Sequence, residues 1–157
     1  MKTINIIIWN LAILICLLSC EPKGNSIIKF VNKSGISVYI NKSFEYPDTI
    51  VGTPAPTYWQ KKVVSGETNT YALNLFDISW ETQFRGKGIP SDTLMVFVFD
   101  ANKLDSLYKE SSSVDVFSTL LKRYDLSLQD LQQVNWVLTY PPSTEMKYIK
   151  MYPPYGN

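Results

Sequence analysis

Histidine is missing from all 157 residues. That absence removes the commonest general base, the usual zinc ligand and the side chain that titrates near neutral pH. A serine–histidine–acid triad cannot be assembled from this chain alone. Cysteine is nearly missing too: Cys16 and Cys20 are the only two. Everything after Cys20 lacks a thiol for a disulfide, a metal or nucleophilic work, and is expected to hold together by packing. Charge of one sign is lacking as well, with 15 Lys and Arg against 14 Asp and Glu. Without a basic footprint, nucleic acid is not an expected partner. No internal repeat is evident. What is abundant is aromatic: ten Tyr, seven Phe and four Trp. Such a composition favours strands, and exposed tyrosine suits recognition surfaces.

The one long apolar run lies at the N-terminus. Ile4 to Leu18 is broken only by Asn5 and Asn10 and follows Lys2. It is short for a membrane span and reads as a signal peptide over residues 1–19. Its end, Leu17-Leu18-Ser19-Cys20, resembles the lipobox of bacterial lipoproteins. The resemblance implies cleavage before Cys20 and attachment of lipid to its sulfur. Several acyl chains anchor stably, since each buried methylene contributes about 0.8 kcal/mol. The competing reading is an uncleaved anchor with an incidental cysteine. Residues 20–25 then form a polar tether and 26–157 one domain.

Within that domain, residues 26–31 and 36–41 read as a β-hairpin around Asn32-Lys33-Ser34-Gly35. A second hairpin is expected from 58–64 and 68–73. Residues 42–57 read as a loop, 74–80 are ambiguous, and 81–91 read as an exposed loop. Leu94 to Phe99 is apolar on both faces, the pattern of a central strand covered on both sides. Asp100 fits a helix N-cap, with Phe99 and Leu104 as a hydrophobic staple. Val114, Phe117, Leu120, Leu121 and Tyr124 make a helical stripe that predicts a helix over 113–124. Ser127 with Asp130 predicts a third helix. Residues 135–140 return to strand, and 146–151 are expected to pair back. The predicted fold is mainly β (α+β): an antiparallel β-sandwich, immunoglobulin-like in outline, with two to three short helices before the last strands.

Taken together, these pieces resemble the short lipoproteins of Bacteroidetes bacteria. The resemblance rests on the lipobox, Tyr46-Pro47-Asp48, the strand ending Phe99-Asp100, Lys122-Arg123-Tyr124, and Asn135-Trp136 running to Tyr140-Pro141. It implies an outer-membrane location, periplasmic or surface-facing, and transfers no site. Asp48-Thr49-Ile50, Asp92-Thr93-Leu94 and Asp105-Ser106-Leu107 resemble the acceptor of the O-glycosylation system of those bacteria, marking Thr49, Thr93 and Ser106. The plain reading of the three is ordinary turn and cap use of Asp-Thr and Asp-Ser.

Carboxylates are the only acid–base equipment, and glycoside hydrolysis needs just two. Asp77, Glu81, Asp92 and Asp100 are candidates, although Asp100 is explained by the cap and Asp92 by a turn. Asp125 reads as a surface residue. Nothing resembles a calcium-binding loop, and no cofactor or metal is implied. Among aromatics, Tyr58, Trp59 and Tyr155 are the candidate ligand contacts, while Trp136 reads as core. The expected role is a non-catalytic binding or accessory domain, held at the membrane through Cys20, for a glycan or envelope protein. A carboxylate-only glycan hydrolase and an envelope immunity protein are the alternatives.

Overall fold

The computed structural model describes residues 24–48, 61–110 and 114–156. These form a mixed α+β structure, mostly strand, in two sheets with three short helices. The strands are β1 (Lys29–Asn32), β2 (Val38–Ser43), β3 (Lys62–Val63), β4 (Thr68–Asn69), β5 (Leu94–Asp100), β6 (Leu120–Leu126), β7 (Val137–Tyr140) and β8 (Lys150–Tyr152). The helices are α1 (Trp80–Arg85), α2 (Ala101–Glu110) and α3 (Leu128–Gln133).

The larger sheet has the order β3-β2-β5-β6-β8, and every neighbouring pair in it is antiparallel. Its centre is β5, where Leu94, Met95, Val96, Phe97, Val98 and Phe99 are all fully buried. Leu94, Val96 and Val98 join a core cluster with Phe30 of β1 and Leu138 of β7. Met95, Phe97 and Phe99 face the other way, into a second cluster closed by Ala101 and Leu104 of α2. Alternation along one strand thus feeds two cores.

The smaller sheet has the order β4-β1-β7. Here β1 is antiparallel to β4 but parallel to β7, with Phe30 opposite Leu138. This parallel pair departs from the wholly antiparallel expectation.

Neither expected hairpin forms. β1 and β2 lie in different sheets, as do β3 and β4. The β1–β2 ribbon turns a corner at Asn32, and the β3–β4 ribbon turns beside it. Pairing continues through the corner: Asn32 N–H donates to the Glu67 carbonyl at 2.9 Å, and Gly66 N–H to the Asn32 carbonyl at 2.7 Å. The Asn32 side chain is buried and fully used. Its Nδ2 donates to the carbonyls of Ile36 (2.8 Å) and Val63 (2.9 Å). Its Oδ1 accepts from the backbone N–H of Ser34 (3.0 Å) and from its hydroxyl (2.6 Å). Asx geometry, read in sequence as a reversal, here bends a ribbon between sheets.

The helix expected over 113–124 is replaced by a 3₁₀ turn at Val116–Thr119 and then by β6. The reason is the backbone of β5. A buried strand must satisfy its polar groups on both edges, and β2 covers only one. Residues 120–126 supply the other edge, pairing Val96 with Tyr124 and Leu94 with Leu126. Long-range pairing overrides the helical stripe.

Residues 81–91, read as a loop, begin with α1. Ser79 caps it by accepting from Thr82 N–H, and Trp80 and Phe84 bury one face. The two other helix starts follow expectation. Asp100 accepts from Asn102 N–H (3.0 Å) and Lys103 N–H (3.1 Å). Ser127 and Asp130 form a full capping box. The last strand, β8, pairs with β6 instead of β7. Trp136 is half-buried against the core.

Candidate functional site

Cys20, Thr49, Tyr58 and Trp59 lie outside the described residues. The remaining candidates are dispersed. Tyr155 is 39% exposed on the C-terminal segment. Just before it, the Pro153 carbonyl accepts from Lys122 Nζ at 2.9 Å. Thr93 is half-buried ahead of β5, its hydroxyl donating to the Ser91 carbonyl at 3.1 Å. Ser106 is exposed on α2, its hydroxyl donating to the Asn102 carbonyl at 3.0 Å.

Each candidate acid has its own local setting. Asp100 caps α2. Glu81 accepts from the backbone N–H of Asn25 at 2.9 Å. Asp92 sits in a left-handed turn conformation, φ 51°, and Asp77 is exposed. Among the described residues no group of three or more acidic or cysteine side chains could hold a metal ion.

A different set of residues converges on the larger sheet. Arg123 and Asp125 are two apart on β6, so both point to the face that carries Met95 and Phe97. Across the next pairing, Asp125 lies opposite Lys150 and Arg123 opposite Tyr152. The Asp125 carboxylate is almost wholly buried, with 2% of the side chain exposed. Arg123 Nη2 donates to its Oδ2 at 3.0 Å. Arg123 Nε stands 2.8 Å from Oδ1 as an ion pair, off the hydrogen-bonding direction. Lys150 Nζ approaches Oδ2 at 3.7 Å from the solvent side. It also donates to the Tyr46 hydroxyl at 2.8 Å, and that hydrogen bond is the main reason its pKa is raised.

Two tyrosines border this cluster. Tyr46 packs against the Met95–Phe97 cluster, while Tyr152 is 61% exposed. One carboxylate is countered by two cations, which leaves a local excess of N–H donors beside aromatic rings. Such a group can receive oxygen-rich ligands, from sugar hydroxyls to carboxylates.

The sequence reading of Asp125 as a surface residue is corrected here: it is a buried strand residue. The missed signal was the Arg123-x-Asp125 spacing, which shares a face on a strand but not on a helix. Neither Lys150 nor Tyr46 could be joined to it by spacing.

Comparison of the chain with protein families, curated proteins and solved structures finds no match to any of them. Among the described residues, no helix is long and apolar enough to cross a membrane.

Proposed function

We propose that this chain is a lipid-anchored envelope protein of the Bacteroidetes type. In this reading Cys20 carries the lipid, and the domain is a non-catalytic binding or accessory module. The ligand class favoured by the site chemistry is an oxygen-rich glycan. The observation that carries this reading is one sheet face holding exposed Tyr152 beside the Arg123–Asp125–Lys150 cluster. Rings supply flat apolar area at small entropy cost, and the cations supply directed donors. Tyr155 is a further proposed contact on the same C-terminal segment.

The sandwich architecture also belongs to this proposal. Two sheets contribute to one core cluster, which supports it. The parallel β1–β7 pair makes it a mixed form of that architecture.

The test is a glycan array probed with the detergent-solubilised full chain, beside Tyr152→Ala and Lys150→Ala. Both side chains are well exposed, so neither change disturbs the core. Binding by the parent that is lost in both variants supports the assignment. Binding that survives in both removes this face as the site. Hydrolysis of a polysaccharide that is lost on changing two carboxylates overturns the non-catalytic reading.

A further inference from the structure

The chain between Gly24 and Ile27 does not hang free. It is fastened along the segment that enters α1. Leu75 N–H donates to the Ser26 carbonyl at 2.8 Å, and Trp80 N–H to the Asn25 carbonyl at 2.7 Å. Asn25 N–H reaches Glu81 Oε2 at 2.9 Å. Ile27 bridges to Asn74. Gly24 itself lies so close to Ser79 and Glu81 that a Cβ there would overlap both, 2.5 Å from the Ser79 hydroxyl oxygen. The tether therefore leaves the domain at a defined point beside the 75–79 loop.

That loop is apolar where loops are usually polar. Phe76 is 76% exposed and Ile78 43% exposed. Between loop and tether runs a groove of about 560 Å³, whose lining includes Gly24 and Ser26 on one side and Phe76, Asp77 and Ile78 on the other. Four Cα-to-Cα steps separate Gly24 from Cys20. Fully extended, they reach at most about 14 Å. A lipid on Cys20 thus places the bilayer surface within one short reach of Phe76.

We infer that the 75–79 loop is a membrane-docking element: Phe76 and Ile78 rest in the interfacial layer of the bilayer that holds the Cys20 lipid. The inference rests on the lipid-anchor reading above. The short tether makes the second contact effectively intramolecular, so a small apolar loop suffices. Phe and Ile side chains partition into the headgroup–acyl boundary, while exposed Asp77 keeps the loop at that depth. The domain then has a fixed side towards the membrane and does not tumble on a flexible leash.

The test uses the full lipidated chain carrying Phe76→Cys. With Cys16 removed with the signal and Cys20 acylated, the new thiol is the only one available. It is labelled with an environment-sensitive fluorophore, and the protein is reconstituted into phosphatidylethanolamine–phosphatidylglycerol vesicles with or without brominated acyl chains. Ser118→Cys, on the layer covering the opposite face of the larger sheet, is the control. The expected result is a blue-shifted probe at residue 76 that brominated lipid quenches, with the probe at residue 118 unaffected. A lipidated chain that floats with the vesicles while its residue-76 probe stays unquenched overturns the docking alone. Mass spectrometry showing no lipid on Cys20 overturns the anchor reading and the docking with it.

Discussion

The phenol of Tyr124 donates a 2.8 Å hydrogen bond to the backbone carbonyl of Thr139. Tyr124 belongs to β6 and Thr139 to β7, so this bond ties the five-stranded sheet to the three-stranded one. The ring is fully buried, and that burial holds the phenol neutral by raising its pKa. Tyr124→Phe keeps the packing and deletes only the tie. The expected loss is about 1 kcal/mol in urea unfolding. An unchanged midpoint would show that this bond contributes nothing to holding the sheets together.

Asn32 gives a sharper test of how the ribbon bends. Its amide donates two bonds to carbonyls and accepts two from Ser34. Asn32→Ala strands buried carbonyl groups and is expected to cost at least about 2 kcal/mol. Asn32→Asp is expected to be worse at neutral pH, because a carboxylate oxygen would then face the carbonyls of Ile36 and Val63. Acidification should recover part of that loss. An aspartate variant as stable as the parent at pH 7 would refute the role given to the amide.

The two phenylalanines that meet over the larger sheet should not behave alike. Phe97 and Phe117 have an edge-to-face contact at 6.2 Å between ring centroids. Phe97 is fully buried, whereas Phe117 is 41% exposed. Phe97→Ala is expected to cost about 3–5 kcal/mol. Phe117→Ala forfeits the ring contacts and part of its burial, about 1–2 kcal/mol. Equal losses in thermal melts would contradict this division.

Tyr39 predicts an alkaline limit. Burial first, and then its 2.9 Å hydrogen bond to Asp105, push its pKa to about 12. The folded state holds the phenolic proton more tightly than the unfolded chain, whose tyrosine titrates near 10. The stabilisation is therefore complete below pH 10 and is lost as pH rises from 10 to 12. Tyr39→Phe should lessen the slope of that part of the stability–pH curve, to which buried Tyr124 also contributes. A parent curve that is already flat there would remove Tyr39 as the cause.

The parts legible in the sequence were those set by local chemistry. Leu94 to Phe99 reads as a two-faced strand because alternate side chains serve two cores. The caps at Asp100 and Ser127 read correctly because a side chain two or three residues away satisfies the helix end. Ser79 carries the same signal for α1, but Gly86 and Gly88 beyond it make the segment read as a loop. Long-range pairing was not legible. Residues 114–124 have a helical stripe, but the open edge of β5 recruits 120–126 as a strand. The same substitution concealed the cluster, because Arg123 and Asp125 share a face only once their segment is extended.

The parallel pairing of β1 with β7 fixes the order in which the molecule can be completed. Lys29 to Asn32 must wait for Val137 to Tyr140, which lie far along the chain from them. Sheet closure therefore depends on contacts of very high sequence separation, the kind that slow folding most. A chain in which β7 has not yet been reached carries β1 with one edge open. Strands this far apart in sequence that complete each other make partial products poor folders. Loss of the residues from β7 onward should therefore produce an aggregation-prone fragment, not a smaller version of the domain.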